Sequence, residues 1–474
     1  MKDYSGQAKI EKSARFFCLT FQNAAAQNAS MTSQYSVMFY TLGCRLNQAE
    51  TATLCDLFRQ QGCAIKEFGA DADVCVINTC SVTGQSEARC RNMIRHVLRA
   101  HPQTFMIVVG CYAQVGLDAL RRIPGIDMIV GTEQKFRLLD YLQNVQAGQN
   151  GRAGFPKQPA PLIFHAEAIE RADFTMQSAG NFVARTRANI KIQDCCDFFC
   201  SYCIVPYARG RDRSREFEDI RREAVELAAR GHQEIVLTGV NIGTYAHHGK
   251  TFVDVLAMLE DIEGIQRIRI TSIEPMTIPD DLIERVAASR KICHFFHIPL
   301  QSGDNEILRL MNRRYTREAF AEFARRLADT LPEANIGTDI IVGFPGEGDA
   351  EFAHSREMLE TLPINYAHVF SFSARQGTKA ADLPHPVAPD VISARSEILR
   401  NLSKQKKRAF YAKQIGETVS VLFERKDRRS GLLTGYTGNY IKVGVASEDA
   451  LANRIRRVKI TGVTDDNIAV GTLA

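Results

Sequence analysis

The chain has 474 residues, 45% hydrophobic and 24% charged, with a formal net charge of +5 and 13 cysteines. This length exceeds what one hydrophobic core usually fills, so two or three domains are expected, and the balance of residues excludes wholesale disorder. No run approaches the roughly 18 apolar residues of a membrane helix, and an odd number of cysteines cannot pair completely within one chain, which turns attention to metal or redox chemistry.

Residues 1–34 carry little pattern and read as a loose extension. The apolar patch Phe16 to Phe21 is shorter than a secretory h-region, so no signal peptide is expected, and Met31 is a plausible natural start. A cytoplasmic, reducing compartment follows, where clusters survive and disulfides do not. Residues 35–147 alternate short apolar strands (Val37 to Thr41, Val74 to Asn78, Phe105 to Val109, Met128 to Val130) with helical patterns, which is the βαβ logic of a parallel α/β sheet. Gly148 to Pro161 gathers Gly, Pro and polar residues, and 148–184 reads as a linker.

Residues 185–411 repeat the alternation at larger scale. Strands are expected at Asn189 to Gln193, Glu234 to Thr238, Arg267 to Ser272, His294 to Ile298, Asn335 to Val342 and Ala367 to Phe372. Six βα units suit a partial, open relative of the eight-stranded α/β barrel, with chemistry at the carboxyl ends of the strands. A basic helix through Lys404, Lys406, Lys407 and Arg408 leads to residues 412–474, a Gly-punctuated run of short strands that fits a small β-barrel. From Lys404 onward there are fourteen Lys and Arg against seven Asp and Glu, so the positive charge is concentrated at this end. Such asymmetry fits either a solvated surface or a polyanion partner.

Of the thirteen cysteines, Cys18, Cys55, Cys63, Cys75, Cys90 and Cys293 sit inside helical or strand patterns, where a buried free thiol is the simplest reading. Cys196, Cys200 and Cys203 are different: they form C-x3-C-x2-C directly after the first strand of the second segment. Three thiolates so close can hold three corners of a cubane cluster and leave the fourth iron open. The alternative is zinc, which usually takes four protein ligands, and no fourth Cys or His stands at suitable spacing nearby. Cys195 is adjacent but breaks the spacing.

Lys191 to Arg215, KIQDCCDFFCSYCIVPYARGRDRSR, resembles the loop of the radical S-adenosylmethionine methylthiotransferase family. Those enzymes usually have Gly where this chain has Cys195, a departure that falls on a turn. The resemblance implies a central partial (βα)6 radical SAM barrel in which S-adenosylmethionine chelates the open iron of a 4Fe-4S cluster. One electron then yields a 5′-deoxyadenosyl radical. It extends through Leu237 to Asn241, Ser272 to Pro275, His297 to Gly303, Met311 to Tyr315 and Thr338 to Glu347. By that similarity Gly239, Glu274, Gln301 and Asp339 line the nucleoside pocket. Taken singly each is as compatible with an ordinary turn or loop.

Cys44, Cys80 and Cys111 each follow a strand of the first segment, and in a parallel sheet those strand ends share one edge. On topology alone, three unrelated loop thiols remain an equal reading. Thr41 to Thr51 (TLGCRLNQAET), Asn78 to Thr83 (NTCSVT) and Gly110 to Gln114 (GCYAQ) are similar to the N-terminal domain of the methylthiotransferases. This implies a second 4Fe-4S cluster on these cysteines, carrying the sulfur that becomes a methylthio group. One S-adenosylmethionine would give a methyl group and another the radical. An electron donor such as flavodoxin or ferredoxin, and a sulfur donor, would be partners.

The terminal segment resembles the RNA-binding TRAM-like barrel of these enzymes, with Arg425, Lys426, Arg428, Arg429, Lys442, Arg454, Arg456, Arg457 and Lys459 available to phosphates. Tyr436 and Tyr440 are candidates to stack bases, or else core or rim residues of the barrel. TLGCRLN is closest to the subgroup acting on N6-threonylcarbamoyladenosine at position 37, in the tRNA anticodon region. Competing readings are a methylthiotransferase acting on isopentenyladenosine-37 or on a ribosomal protein, a radical RNA methyltransferase that adds no sulfur, and a non-catalytic Fe-S RNA-binding protein.

Overall fold

The computed structural model describes residues 35–147, 154–166, 169, 174, 176, 186–447 and 451–474. The extension 1–34, with Cys18 and Met31, lies outside the described residues. The chain forms two compact units.

The first unit is a six-stranded parallel sheet. Its strands are β1 (Ser36–Thr41), β2 (Ala64–Lys66), β3 (Val74–Thr79), β4 (Phe105–Gly110), β5 (Met128–Val130) and β6 (Leu162–Phe164), ordered β2-β1-β3-β4-β5-β6. Every residue of β3 and β4 is buried, as expected of parallel strands covered on both faces. Alternate residues feed two cores. Val74, Val76, Phe105 and Ile107 pack with Phe58 on one face; Cys75, Ile77, Met106 and Val108 pack with Ile94 and Val97 on the other. Cys55, Cys63, Cys75 and Cys90 are buried free thiols of these cores, as Cys293 is of the second unit.

Two strands depart from the sequence reading. Leu162–Phe164 lies within the stretch read as linker, yet it pairs in parallel with β5, and Phe164 stacks on Tyr141 with ring centroids 3.8 Å apart. β2 pairs with β1 at the opposite edge. Each has three residues, too few to show a period of two, so both are specified by the neighbouring strand rather than by local pattern.

The second unit holds six parallel strands in two sheets. β7 (Arg187–Lys191), β8 (Glu234–Thr238) and β9 (Arg267–Arg269) form one, ordered β9-β8-β7; β10 (Phe295–His297), β11 (Asn335–Val342) and β12 (Tyr366–Ser371) form the other. All six were expected from sequence, and helices alternate with them around a single large apolar core. The helix after β12 spans Pro389–Ala412, 24 residues, well beyond the basic stretch that signalled it, and opens with proline in its first turn. It leads into a closed five-stranded barrel: β13 (Thr418–Lys426), β14 (Leu433–Thr437), β15 (Lys442–Val445), β16 (Ile455–Val463) and β17 (Ala469–Leu473), in the order β13-β14-β15-β17-β16.

The two arginines of β9 fasten this barrel to the rest of the unit. Arg267 donates to the carbonyls of Tyr436 and Ser420, each at 2.8 Å, and Arg269 to those of Gly438 (2.9 Å) and Thr437 (3.1 Å). Buried Glu234 pairs with Arg269 at 2.8 Å. Among the described residues no helix is long and apolar enough to cross a membrane.

Candidate cluster and cofactor sites

In the first unit the three strand-end thiols stand on loops tied to one another. Cys44 is the N-cap of α1 (Arg45–Gln60), Cys80 directly follows β3, and Cys111 opens the short helix α2 (Cys111–Val115). Gly43 has φ +105°, and a Cβ there would stand 2.6 Å from Cys80 Cβ and 2.9 Å from its Sγ. Only glycine lets the two cysteine loops approach this closely. Asn47 Nδ2 donates to the carbonyls of Leu42 and Thr79, both at 2.9 Å, joining the backbone beside Cys44 to that beside Cys80. Thr79 Oγ1 donates to Val109 O at 2.6 Å and accepts from Ala113 N at 3.3 Å, which ties in the third loop.

Cys44 is exposed, Cys111 half-buried and Cys80 buried. Burial pushes the Cys80 thiol up to about 11, with charge on Cys111 and Cys44 adding to the rise. The three sulfurs thus lie within electrostatic reach of one another, a donor set suited to a soft metal or an iron–sulfur group.

This close packing makes a prediction. Gly43→Ala is expected to prevent loading of this site while leaving the second unit's site intact, because the added methyl falls on Cys80 and the left-handed φ is strained. If the site holds the cubane that the family resemblance implies, iron content after anaerobic reconstitution should drop by about four atoms per chain.

In the second unit, β7 runs into the loop bearing Cys196, Cys200 and Cys203, all half-buried. Its first turn requires Cys195 at φ +62° and a later one Phe199 at φ +48°. Cys195 therefore occupies, at some strain, a left-handed position that glycine would take freely. The segment after residue 310 cradles the loop: Asn312 Nδ2 donates to the carbonyls of Phe198 (3.0 Å) and Phe199 (3.1 Å), and Ser201 N donates to Met311 O (3.0 Å). Arg313, buried, points Nη1 at Cys200 Sγ (3.3 Å) and is ion-paired with Glu274. Burial pushes the Cys196 thiol up to about 12, and charge on Cys200 and Glu274 adds to the rise.

The four residues assigned to the nucleoside pocket fall into two groups. Gly239 and Glu274 lie at the cysteine loop. A Cβ on Gly239 would stand 2.8 Å from Gln193 Oε1, an oxygen that accepts from Val240 N and Asn241 N at 2.9 Å, while the Gln193 amide donates to Cys195 O at 2.6 Å. Gln301 and Asp339 sit together on neighbouring backbone, Gln301 N donating to Asp339 O at 2.8 Å, with Gln301 at φ +63°. Asp339 and His297 Nε2 are 2.8 Å apart, and His297 Nδ1 is 3.0 Å from the Tyr366 hydroxyl.

The sequence reading quoted Asn47, Arg209, Asn312 and Arg313 inside motifs without giving them a role. The Met-Asn-Arg-Arg-Tyr motif was the available signal for the last two. Tyr436 and Tyr440 stack on each other at 4.8 Å, with the guanidiniums of Arg187 and Arg269 over their rings at 4.5 and 4.6 Å. They line the wall of a cavity of about 510 Å³ that also presents Lys407, Tyr411, Arg429 and Lys442. Arg425, Lys426, Arg428, Arg429, Arg454, Arg456, Arg457 and Lys459 are exposed on the barrel.

A family model described as the radical SAM superfamily matches residues 190–359, and one described as uncharacterized protein family UPF0004 matches residues 36–131. A curated relative in Bacillus subtilis (strain 168), threonylcarbamoyladenosine tRNA methylthiotransferase MtaB, is 36% identical over 90% of this chain and 93% of its own length. The tRNA-2-methylthio-N(6)-dimethylallyladenosine synthase of Opitutus terrae is 32% identical over 89% of this chain and 94% of its own. Among solved structures, the radical S-adenosylmethionine methyltransferase TsrM from Kitasatospora setae, with cobalamin and a 4Fe-4S cluster bound, matches with a TM-score of 0.51. The match is at 14% identity over 73% of this chain and 77% of that one, a likeness of fold.

Proposed function

Since this chain belongs to the radical SAM tRNA methylthiotransferases, we propose that it converts N6-threonylcarbamoyladenosine at position 37 of tRNA to its 2-methylthio derivative. The observation that carries this is the pair of separate thiol triads, each on loops at the carboxyl ends of parallel strands, in a chain similar over nine-tenths of its length to a threonylcarbamoyladenosine tRNA methylthiotransferase.

Cys196, Cys200 and Cys203 hold one 4Fe-4S cluster in this reading, and Cys44, Cys80 and Cys111 hold the second. Bound there, the clusters and S-adenosylmethionine supply the radical hydrogen abstraction, the sulfur and the methyl group that the conversion needs. The chain's own residues position and shield. Asn312 fixes the aromatic turn at Phe198 and Phe199, and Arg313 presents a buried cation to Cys200 and holds Glu274 beside it. Gly239 lets the backbone after β8 close over Gln193. Gln301 and Asp339 offer polar groups for the nucleoside. Exposed arginines and lysines of the terminal barrel attract tRNA phosphates, and its tyrosine-lined cavity suits a base or ribose of the anticodon region. A cytoplasmic setting with a flavodoxin or ferredoxin as electron donor, and a separate sulfur donor, completes the proposal.

Nucleoside mass spectrometry on tRNA from cells lacking the chain tests it. The expected result is loss of 2-methylthio-N6-threonylcarbamoyladenosine with accumulation of its unthiolated precursor. The 32% identity to a dimethylallyladenosine enzyme makes the sister substrate the specific alternative. Loss of the 2-methylthio-isopentenyl nucleoside instead would move the substrate there, and retention of both would overturn the reading.

A further inference from the structure

The second unit carries a group of metal-ligating side chains that neither thiol triad uses. His297 at the end of β10, Asp339 on β11 and His368 on β12 come from three adjacent parallel strands, with Asp339 opposite His368 and His297 opposite Gly337. Side chains alternate across a strand, and the neighbours Phe296, Ile298, Ile340 and Ala367 belong to the apolar core. His297, Asp339 and His368 therefore share the other face of the sheet. His297 Nε2 is 2.8 Å from Asp339 Oδ1, and the two imidazole rings are 5.1 Å apart between centroids. One ligand atom from each of the three residues lies within 4.8 Å of the others. His297 and Asp339 are half-buried and His368 is exposed, which leaves a path for an ion from water.

Two features mark a donor set rather than a simple ion pair. The first is an orienting partner: His297 Nδ1 lies 3.0 Å from the Tyr366 hydroxyl. Tyr366 reaches across β11 because residue 337 is glycine, where a Cβ would overlap the Tyr366 ring and its oxygen. Donation of Nδ1–H to that hydroxyl leaves Nε2, the nitrogen at Asp339, to take a metal, and such outer hydrogen bonds are what hold the ring of a ligating histidine. The second is the extra imidazole. One histidine suffices for a hydrogen-bonded pair with a carboxylate, whereas two beside the same carboxylate give a two-histidine, one-carboxylate set. That set takes first-row divalent ions and leaves further positions to water or to an oxygen of a bound molecule. Ligand atoms around such an ion stand about 3–3.5 Å apart, so small side-chain rotations within this block close it.

We infer that His297, Asp339 and His368 form a site for one divalent transition-metal ion, with Tyr366 as the residue that orients His297. Two neutral imidazoles favour such an ion over magnesium or calcium, which prefer oxygen throughout. Binding needs neither tRNA nor S-adenosylmethionine, so it stands or falls separately from the choice of nucleoside.

The test titrates Mn2+ into the full chain at neutral pH and reads the EPR signal of the free ion, manganese being too hard to compete for the thiols. One Mn2+ per chain is expected to leave the free-ion signal and to resist an excess of Mg2+ of about a hundredfold. Asp339→Asn and His368→Leu should each weaken binding about a hundredfold. Tyr366→Phe, which keeps the ring over Gly337 and removes only the hydroxyl, should weaken it about tenfold. Absence of bound Mn2+ in the parent overturns the inference, as does its loss to Mg2+ or undiminished binding in the ligand variants. Should a ligand variant lose its thermal unfolding transition, Tyr366→Phe decides: the tenfold loss supports the site and parent-like binding overturns it.

Discussion

Alanine at Cys196, Cys200 and Cys203 together is expected to halve the reconstituted iron, from about eight to about four atoms per chain, and to abolish cleavage of S-adenosylmethionine. The loop has no substitute donor in the right place. Cys195 is buried and turned into a left-handed conformation, and its amide donates to Asp194 Oδ1 at 2.9 Å, which commits the turn. The loop itself is held by Asn312, Ser201 and Ala380 through hydrogen bonds that do not involve the sulfurs, so the protein should remain folded and still bind tRNA. Iron analysis, product assay and RNA binding on one preparation check all three. Eight irons retained, or a single cubane in the parent protein, would defeat the assignment.

Arg269→Ala is expected to be the most destabilising single change on the seam between the parallel strands and the terminal barrel. It removes two hydrogen bonds to barrel carbonyls and strips the close partner from Glu234, a carboxylate with no exposed surface. Breaking a buried pair from one side costs about 3–5 kcal/mol, and Arg267 at 3.7 Å should keep the loss near the lower end. Burial by itself would raise Glu234, but Arg269, with Arg187 and Arg267, overrides it and holds the carboxyl below its usual value of 4.5. The parent's stabilisation from this group is therefore complete above pH 4.5 and fades as pH falls through the lower folded value. In Arg269→Ala the carboxyl is relieved by protonation, so the gap between parent and variant should narrow in acid. Thermal unfolding at pH 7 and pH 4 measures it; an equal gap at both pH values would refute the explanation.

The sequence disclosed elements and thiols better than it disclosed their supports. β5, β8 and β11 were delimited to the residue because apolar runs between turn signals leave little choice, whereas β2 and β6 exist only by virtue of the strand beside them. The cysteine triads were visible because spacing and strand-end position are local properties. Asn47, Glu50, Lys135 and Arg209 were not, since a charged or amide side chain on a helix normally reads as its solvated face. Only the fold shows that these four are buried together. Arg313 was hidden for the same reason: its partners Glu274 and Cys200 are far from it in sequence. Tyr440 adopts φ +65° to reach Arg187 and Arg269, a placement that no β-barrel periodicity signals.

The membership of Ile204–Arg211 in the first unit bears on how this chain can be cut and recombined. A contiguous fragment ending before residue 185 would keep Glu50 and Lys135 in its interior but lack the Arg209 guanidinium that completes their pairing. A chimera that exchanges the amino-terminal unit between relatives must carry the eight residues after Cys203 along with it. The modules of this protein are therefore interleaved in the gene, and their recombination boundary is a series of crossover points rather than a single linker.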